Sequence, residues 1–306
     1  MFGLKLGCFT TIIVIALLIY IAFEVSGCAW IDKVKNSGEQ ELVAPTVVPE
    51  GTLLVHFIDV GQGDCTLVDY GDTEVVIDSG KNGAGVVPYL ETYTQGSMDA
   101  VIATHADADH IGDMDDIFDA FDVDKVVDNT DTKTTQTYLR YVESIEDEPS
   151  IIHIQPTRGE TFTVGELVFQ VLNPEEGSTD DYNENSIVVL LRFGEVNIYL
   201  TGDAEEIAEE EMCDAFELPK AHFLKAGHHG SKTSSSQKFL DEILPDNIIY
   251  SAGASNSYGH PHQEAVDRWE GCGAFWVGTD EAGTIVLTTD GTVEGSWLDF
   301  EKLVVR

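Results

Sequence analysis

Apolar and polar positions along this chain change period several times. Leu53–Val60 (LLVHFIDV) is a nearly continuous apolar run, and Asp64–Tyr70 and Glu74–Asp78 come after it, separated by short gaps holding Gly61, Gly63 and Gly71. Short runs bounded by glycine predict three β-strands joined by hairpins. The period then shifts. Met114, Ile117, Phe118 and Phe121 recur at i, i+3, i+4 and i+7, and Tyr138, Val142 and Ile145 mark a second amphipathic helix. Strands are predicted again over about 167–172, 186–193 and 196–201, then a helix over 204–216. A strand at 221–226, a helix at 235–243 and a strand at 247–252 come next. From Trp276 to Leu298 the pattern predicts paired strands, with turns at Glu281-Ala282-Gly283 and Asp290-Gly291. Hairpins followed by strand–helix alternation predict an α/β fold of two mixed sheets covered by helices, a four-layer αββα sandwich.

The first residues form a separate element. A single charge, Lys5, precedes an apolar run from Cys8 to Phe23. That run is shorter than the roughly 20 residues of a bilayer span and suits the apolar part of a signal peptide. It ends in Val25-Ser26-Gly27-Cys28, which resembles a bacterial lipoprotein cleavage box, although Glu24 is an unusual neighbour. An acylated Cys28, an uncleaved anchor and plain secretion all place the rest of the chain outside the cytoplasm. Residues 1–28 are therefore expected to be a signal peptide or membrane anchor. Residues 29–50, aperiodic and carrying Pro45 and Pro49, are expected to be a linker, and 51–306 the folded domain.

Composition narrows the partners. The chain carries 55 acidic and 16 basic residues, a net charge of −39. Such a surface repels polyanions at long range and has few cations to neutralise phosphates. It argues against tight, non-specific nucleic-acid binding. The cysteines Cys8, Cys28, Cys65, Cys213 and Cys272 show no CxxC spacing, so a disulfide framework is not expected.

The chemistry concentrates in Thr104-His105-Ala106-Asp107-Ala108-Asp109-His110, directly after an apolar strand. Imidazoles and carboxylates on a loop leaving a strand can converge on a transition-metal ion. The alternative is a polar loop that caps the next helix with Asp109 or His110. A calcium loop fails, because the fifth and twelfth places counted from Asp107 are Ile111 and Phe118. Three further clusters each end an apolar strand: Ile77-Asp78-Ser79-Gly80, Leu200-Thr201-Gly202-Asp203 and Gly227-His228-His229-Gly230-Ser231. Strand ends of a sandwich can share one edge, where all four would meet.

IDSG, THADADHIG, LTGDA and GHHGS, in that order, resemble the metallo-β-lactamase superfamily. HFIDVGQGDC before them, NENS ahead of the Asp203 strand and YGHPH after the histidine pair narrow the resemblance to the soluble domains of late-competence DNA-uptake (ComEC) proteins. It covers roughly residues 52–290. It implies a centre of one or two divalent ions, Mn or Zn foremost, at one sandwich edge. Asp109, His110, Asp203 and His228 are the implied ligands of one ion, and His105 and Asp107, sharing Asp203, those of the other. Asp107 stands where many superfamily members have histidine. A carboxylate there favours Mn²⁺ or Mg²⁺ relative to Zn²⁺ and weakens that site. Asp109, Asp203, His229 and His260 are the implied catalytic groups, the last two contacting a substrate oxyanion or protonating a leaving group. Asp78 is implied to orient a ligand histidine, and Asp64, Asn185 and Ser231 to support the ligands or the substrate.

The remaining polar residues have plainer readings. Ser234-Ser235-Ser236 is either a phosphate contact or a helix N-cap. His56, His153 and His222 are expected to be packed or surface residues, His262 a loop residue, and Glu205–Glu211 a solvated helix face, with Ala204, Ile207, Ala208, Met212 and Ala215 on the apolar side of that helix. The expected function is an extracytoplasmic, metal-dependent phosphodiesterase or nuclease acting on DNA, held at the membrane by the N-terminus. The alternatives are hydrolysis of a small phosphoester, ester or lactone, or a metal-binding scaffold without turnover. β-Lactam hydrolysis is not expected, and no protein partner is predicted. The sequence shows no series of membrane spans through which DNA could pass.

Overall fold

A computed structural model describes residues 51–94, 96–175 and 181–301. The predicted signal or anchor segment and the linker lie outside the described residues. Among those described, no helix is long and apolar enough to cross a membrane.

The first half runs β1 (Leu53–Phe57), β2 (Thr66–Tyr70), β3 (Thr73–Ile77), α1 (Val87–Leu90), β4 (Ser97–Met98), β5 (Ala100–Ala103), α2 (Met114–Ala120), β6 (Asp122–Val123), β7 (Lys125–Asp128), α3 (Gln136–Asp147) and β8 (Ile152–Ile154). The second half runs β9 (Thr161–Val164), β10 (Leu167–Asn173), β11 (Val188–Phe193), β12 (Val196–Leu200), α4 (Glu206–Ala215), β13 (Phe223–Lys225), α5 (Gln237–Ile243), β14 (Asn247–Tyr250), α6 (Gln263–Cys272), β15 (Phe275–Gly278), α7 (Thr279–Ala282), β16 (Thr284–Thr289) and β17 (Ser296–Glu301). One sheet has the order β17-β16-β1-β2-β3-β5-β7-β8, the other β15-β14-β13-β12-β11-β10-β9. In both, antiparallel hairpins give way to parallel strands: β3, β5, β7 and β8 in the first, β12 to β15 in the second.

The alternation of side chains explains the layers. Val75 and Ile77 of β3 face inward with Val55, Phe57, Phe169, Val171, Ile198 and Leu200, and this cluster glues the two sheets together. Val76, between them, faces outward with Leu67 and Val101 and is covered by Leu90, Met114, Ile117 and Phe118. On the other outer face Leu190, Tyr199, Leu224 and Ile248 lie under Met212, Phe239, Leu240 and Trp269. The architecture is the αββα sandwich expected.

Several elements differ from the sequence reading. The strand at Trp276 does not pair with β16, the next strand in the chain. It adds to the second sheet beside β14, whereas β16 and β17 cross to the first sheet. Helix α6 is absent from the sequence reading, although Ala265, Val266 and Trp269 supply its buried stripe. Ser236 caps α5, its hydroxyl accepting from the Phe239 amide, and all three serines of the run are buried, which makes the run a helix start. Glu205–Glu211 is not a uniformly solvated face. Glu209 is buried and accepts the Ser235 and Ser236 amides at 2.7 and 2.6 Å, whereas Ile207 and Ala215, expected on the apolar side, are exposed.

The acidic composition shows at the β2–β3 hairpin. Asp69 stands opposite Glu74, and the Glu74 amide donates to Asp99. Burial pushes Asp69 up to about 6. Burial, then Asp69, Asp99 and Asp72, push Glu74 up to about 7. Between the ordinary carboxylate range and these values the folded state binds more protons than the unfolded chain. Stability therefore falls as pH rises through that window. Glu74→Gln is expected to stabilise the protein at pH 8 by about 1 kcal/mol, discounted for the partial exposure of the side chain. That corresponds to about 2–4 °C in Tm. The gain should vanish at pH 4, and thermal melts at the two pH values check it; an equal gain at both would remove the carboxylate repulsion as its cause.

Candidate metal centre

The motifs converge because each lies just beyond the C-terminal end of a strand in the parallel part of a sheet. Asp78 follows β3, the His105–His110 loop follows β5, Asp203 follows β12 and the histidine pair follows β13. Crevices outside such strand ends are where open α/β sheets place ligands. The loops are held close. Gly112 lies so near the Asp78 loop that a Cβ would sit 2.1 Å from the Asn82 nitrogen, which explains the glycine of THADADHIG.

Asp203 is the centre of the cluster. Its Oδ2 lies 3.1 Å from His110 Nε2, 3.5 Å from His229 Nε2 and 4.0 Å from His105 Nε2. Asp109 Oδ2 lies 3.4 Å from His229 Nε2. His105, His110 and Asp203 form one convergent set of ligand atoms, and Asp109, His110 and His229 another. The far ring nitrogens are fixed. His110 Nδ1 donates to Asp78 Oδ2 at 2.7 Å, and Asp78 also accepts the Thr104 amide and hydroxyl. His229 Nδ1 donates to the Ser251 carbonyl at 3.0 Å. Such partners set the tautomer that turns a lone pair toward a metal.

Whether a divalent ion fits is decided by what these atoms lack. The Nε2 atoms of His105, His110 and His229 and Oδ1 of Asp203 are buried without hydrogen-bond partners. Orphaned buried polar atoms are costly. Four of them pointing into one volume, from imidazoles and a carboxylate, suit a divalent transition metal.

The charge pattern agrees. Burial would raise the Asp203 pKa, but His110, His229 and His105 hold it well below the carboxylate range. Burial likewise opposes ionisation of Asp109, yet the facing His229 ring and the His110 charge bring it down to about 2. Burial opposes a charge on His110, but Asp203 and Asp78 raise its pKa well above normal. Burial and the neighbouring His110 push His105 well below normal.

The structure redistributes two positions read from the sequence. His229, not His228, closes the cluster. Both residues have left-handed backbone, φ 57° and 47°, and that tight turn sends their rings to different places. His229 is buried in the centre. His228 stands at the rim, its Nδ1 2.7 Å from Glu205 Oε1 and its Nε2 3.8 Å from Asp203. Asp107 joins none of the convergent sets. It is ion-paired with Lys133, its Oδ2 3.9 Å from His105.

Asp64 is buried beneath the cluster, bonded to Lys225 Nζ at 2.6 Å. Asn185 is buried and binds both carboxylate oxygens of Asp131. Ser231 is also buried and meets the Thr233 hydroxyl, which donates to Glu205, so Ser231 ends a chain that leads to His228. His260 packs beside the pair, 5.5 Å from His228 and 6.0 Å from His229 by ring centroids, with its Nδ1 unpartnered. Burial and the flanking histidines lower its pKa to about 4.

Sequence reasoning missed Lys133, Lys225 and Glu205. Lys225 did carry a signal, a lone cation inside the apolar run Phe223-Leu224-Lys225-Ala226. A cleft of about 670 Å³ opens beside Asp109, lined by Gln62, Lys81, Asn256 and Tyr258 among others.

Comparisons with known proteins fit this geometry. The family model of the metallo-beta-lactamase superfamily matches residues 58–253. The chain is 31% identical over 263 residues to ComE operon protein 3 of Bacillus subtilis, covering 79% of this chain and 34% of that protein. It is 31% identical over 238 residues to Recombination protein 2 of Haemophilus influenzae, covering 71% of this chain and 26% of the relative. Competence protein ComA of Neisseria gonorrhoeae is 28% identical, with 79% of this chain and 33% of that protein covered. The chain thus spans about a third or less of the length of these curated relatives. Among solved structures, the metallo-beta-lactamase fold protein YhfI of Bacillus subtilis superposes with a TM-score of 0.50 at 15% identity, covering 74% of this chain and 95% of YhfI. With the sandwich, the strand-end His/Asp cluster and the family match in agreement, this chain belongs to the metallo-β-lactamase superfamily.

Proposed function

We propose that the chain is a metal-dependent phosphodiesterase that acts on DNA outside the cytoplasm, tethered to the membrane by its N-terminal segment. The observation that carries this reading is the open cleft at Asp109. It is open, lined by loop residues that include Gln62, Lys81, Ser255, Asn256 and Ser257, and meets the ligand cluster at Asp109, so it suits an extended substrate better than a closed apolar pocket would. The names of the relatives, which speak of competence and recombination, support a DNA substrate.

In this reading Asp109, His110, Asp203 and His229 would hold a divalent ion, with His105 beside them, and the mixture of imidazole and carboxylate would favour Mn²⁺ or Zn²⁺. A bound ion supplies Lewis acidity toward a phosphoryl oxygen and a water of lowered pKa. Asp78 orients His110 through its hydrogen bond. His228 is the proton donor to the leaving oxygen. Burial disfavours its charge, but the Glu205 hydrogen bond and Asp203 raise its pKa above the ordinary imidazole value, which favours a proton on it at the rim of the ligand cluster. His260 is neutral at pH 7, and its free Nδ1 is available to accept a hydrogen bond from an attacking water.

A second reading, hydrolysis of a small phosphoester, is favoured by one observation: among the described residues lining the cleft, Lys81 is the only cation. The two are separated by assaying the Mn²⁺-loaded full chain on labelled linear DNA and on bis(p-nitrophenyl) phosphate. DNA cleavage is expected, and Lys81→Glu should slow it by about tenfold at low salt while leaving the small diester unaffected. Turnover of the small diester with DNA left intact would transfer the assignment to the second reading.

A further inference from the structure

Lys133 occupies an unusual place. It lies in the loop between β7 and α3, and its ammonium is ion-paired with Asp107, the carboxylate beside His105. The same ammonium sits 3.8 Å above the ring of Tyr182. Its side chain is only 15% exposed, so a lysine largely withdrawn from solvent pairs with a carboxylate that is itself 37% exposed.

The surroundings fix it there. The Tyr182 hydroxyl donates to the Thr132 carbonyl, one residue before Lys133. Asn185 binds Asp131, two residues before, and Asn129 donates to the Asn185 carbonyl. Three hydrogen-bonded contacts therefore clamp the Lys133 loop to the 182–185 segment and aim the ammonium at Asp107. A cation over an aromatic face, paired with a carboxylate in a partly desolvated site, is held by electrostatics on two sides.

The geometry points to Lys133 as the replacement for one of two metal ions: its ammonium satisfies Asp107 and supplies the second positive charge, so the centre takes a single divalent ion at Asp109, His110, Asp203 and His229. This inference rests on the metal-centre part of the proposed function and not on the DNA part. Where two ions would flank a substrate phosphoryl group, one ion and a fixed ammonium would do so in this chain. An ammonium needs no ligand geometry, which accounts for Asp107 lying outside every convergent set of ligand atoms among the described residues.

The test is a count of metal. The full chain, stripped with chelator and reloaded with Mn²⁺, is measured by titration calorimetry and by elemental analysis after gel filtration. One ion per chain is expected for the unsubstituted protein. Lys133→Met frees Asp107 and should admit a second ion, bound about 10–100-fold more weakly than the first, with the electron-spin signature of a coupled manganese pair. Lys133→Arg, which keeps the charge, should stay at one. Two ions in the unsubstituted protein would overturn the inference whether or not either variant folds, and so would a folded Lys133→Met protein that stays at one. No ion at all would overturn the metal centre itself. One ion with no DNA cleavage would overturn only the substrate assignment and leave Lys133 in its role.

Discussion

Asp203→Asn is expected to lower metal affinity by at least ~10²-fold and to abolish hydrolysis, because even residues that merely support a metal ligand contribute 10–100-fold. The substitution preserves shape and removes charge. Asp203 Oδ2 is the atom that His110, His229 and, at longer range, His228 and His105 have in common. Four imidazoles surround one carboxylate, and the acids near it are engaged elsewhere: Asp109 faces His229, and Asp64 is bonded to Lys225. The backbone of Asp203 should stay in place, since its amide donates to the Ser186 hydroxyl independently of the side chain. The loss is therefore expected in metal content and turnover, with near-normal circular dichroism. Calorimetric titration with Mn²⁺ is the check. Binding within a few-fold of the unsubstituted protein would remove Asp203 from the centre.

Lys225→Met should cause the largest loss of stability. Lys225 at the end of β13 and Asp64 in the β1–β2 loop belong to different sheets, yet their side chains meet at 2.6 Å with 2% and 5% exposure. The ammonium also donates to the Ala226 carbonyl. Methionine fills the same volume but leaves a buried carboxylate without its counter-charge. Breaking one side of such a pair costs about 3–5 kcal/mol, whereas replacing both sides by apolar groups is close to neutral. The single substitution is expected to lower Tm by about 10 °C or more, and Asp64→Leu with Lys225→Met should recover most of that. Urea unfolding of the three variants measures the cycle. A single-variant loss below about 1 kcal/mol would mean that Asp64 is hydrated without Lys225.

Features that depend on local pattern were legible in the sequence. The apolar runs ending in Asp78, Asp203 and the histidine pair are buried strands, so their polar ends had to emerge at a sheet edge. The order of motifs identified the family because each motif sits at a separate strand end. The choice between His228 and His229 was not legible. Adjacent residues normally point to opposite sides, but here two successive left-handed conformations decide which ring turns inward. Ion pairs were hidden for another reason. Asp107 with Lys133 and Asp64 with Lys225 are joined by tertiary packing, and nothing near either acid in the chain announces its partner. Glu209 reads as solvated because its neighbours are glutamates, yet it is turned inward onto the two amides just before a different helix. The last strands read as one hairpin because they are close in sequence. The helical turn at Thr279–Ala282 instead sends the chain from one sheet to the other.

That crossing has a consequence for how the polypeptide matures. Leu53 of β1 pairs with Thr289 of β16, so the first strand of the domain waits for nearly the last. Until residues 284–289 have been synthesised, one hydrogen-bonding edge of β1 stays open, and the inter-sheet core lacks Ile285 and Leu287. Pairing over such a span makes closure slow and leaves an adhesive edge exposed in the meantime. A nascent chain shorter than this is a half-built sheet, and a helper that shields β1 during synthesis would act on that intermediate alone.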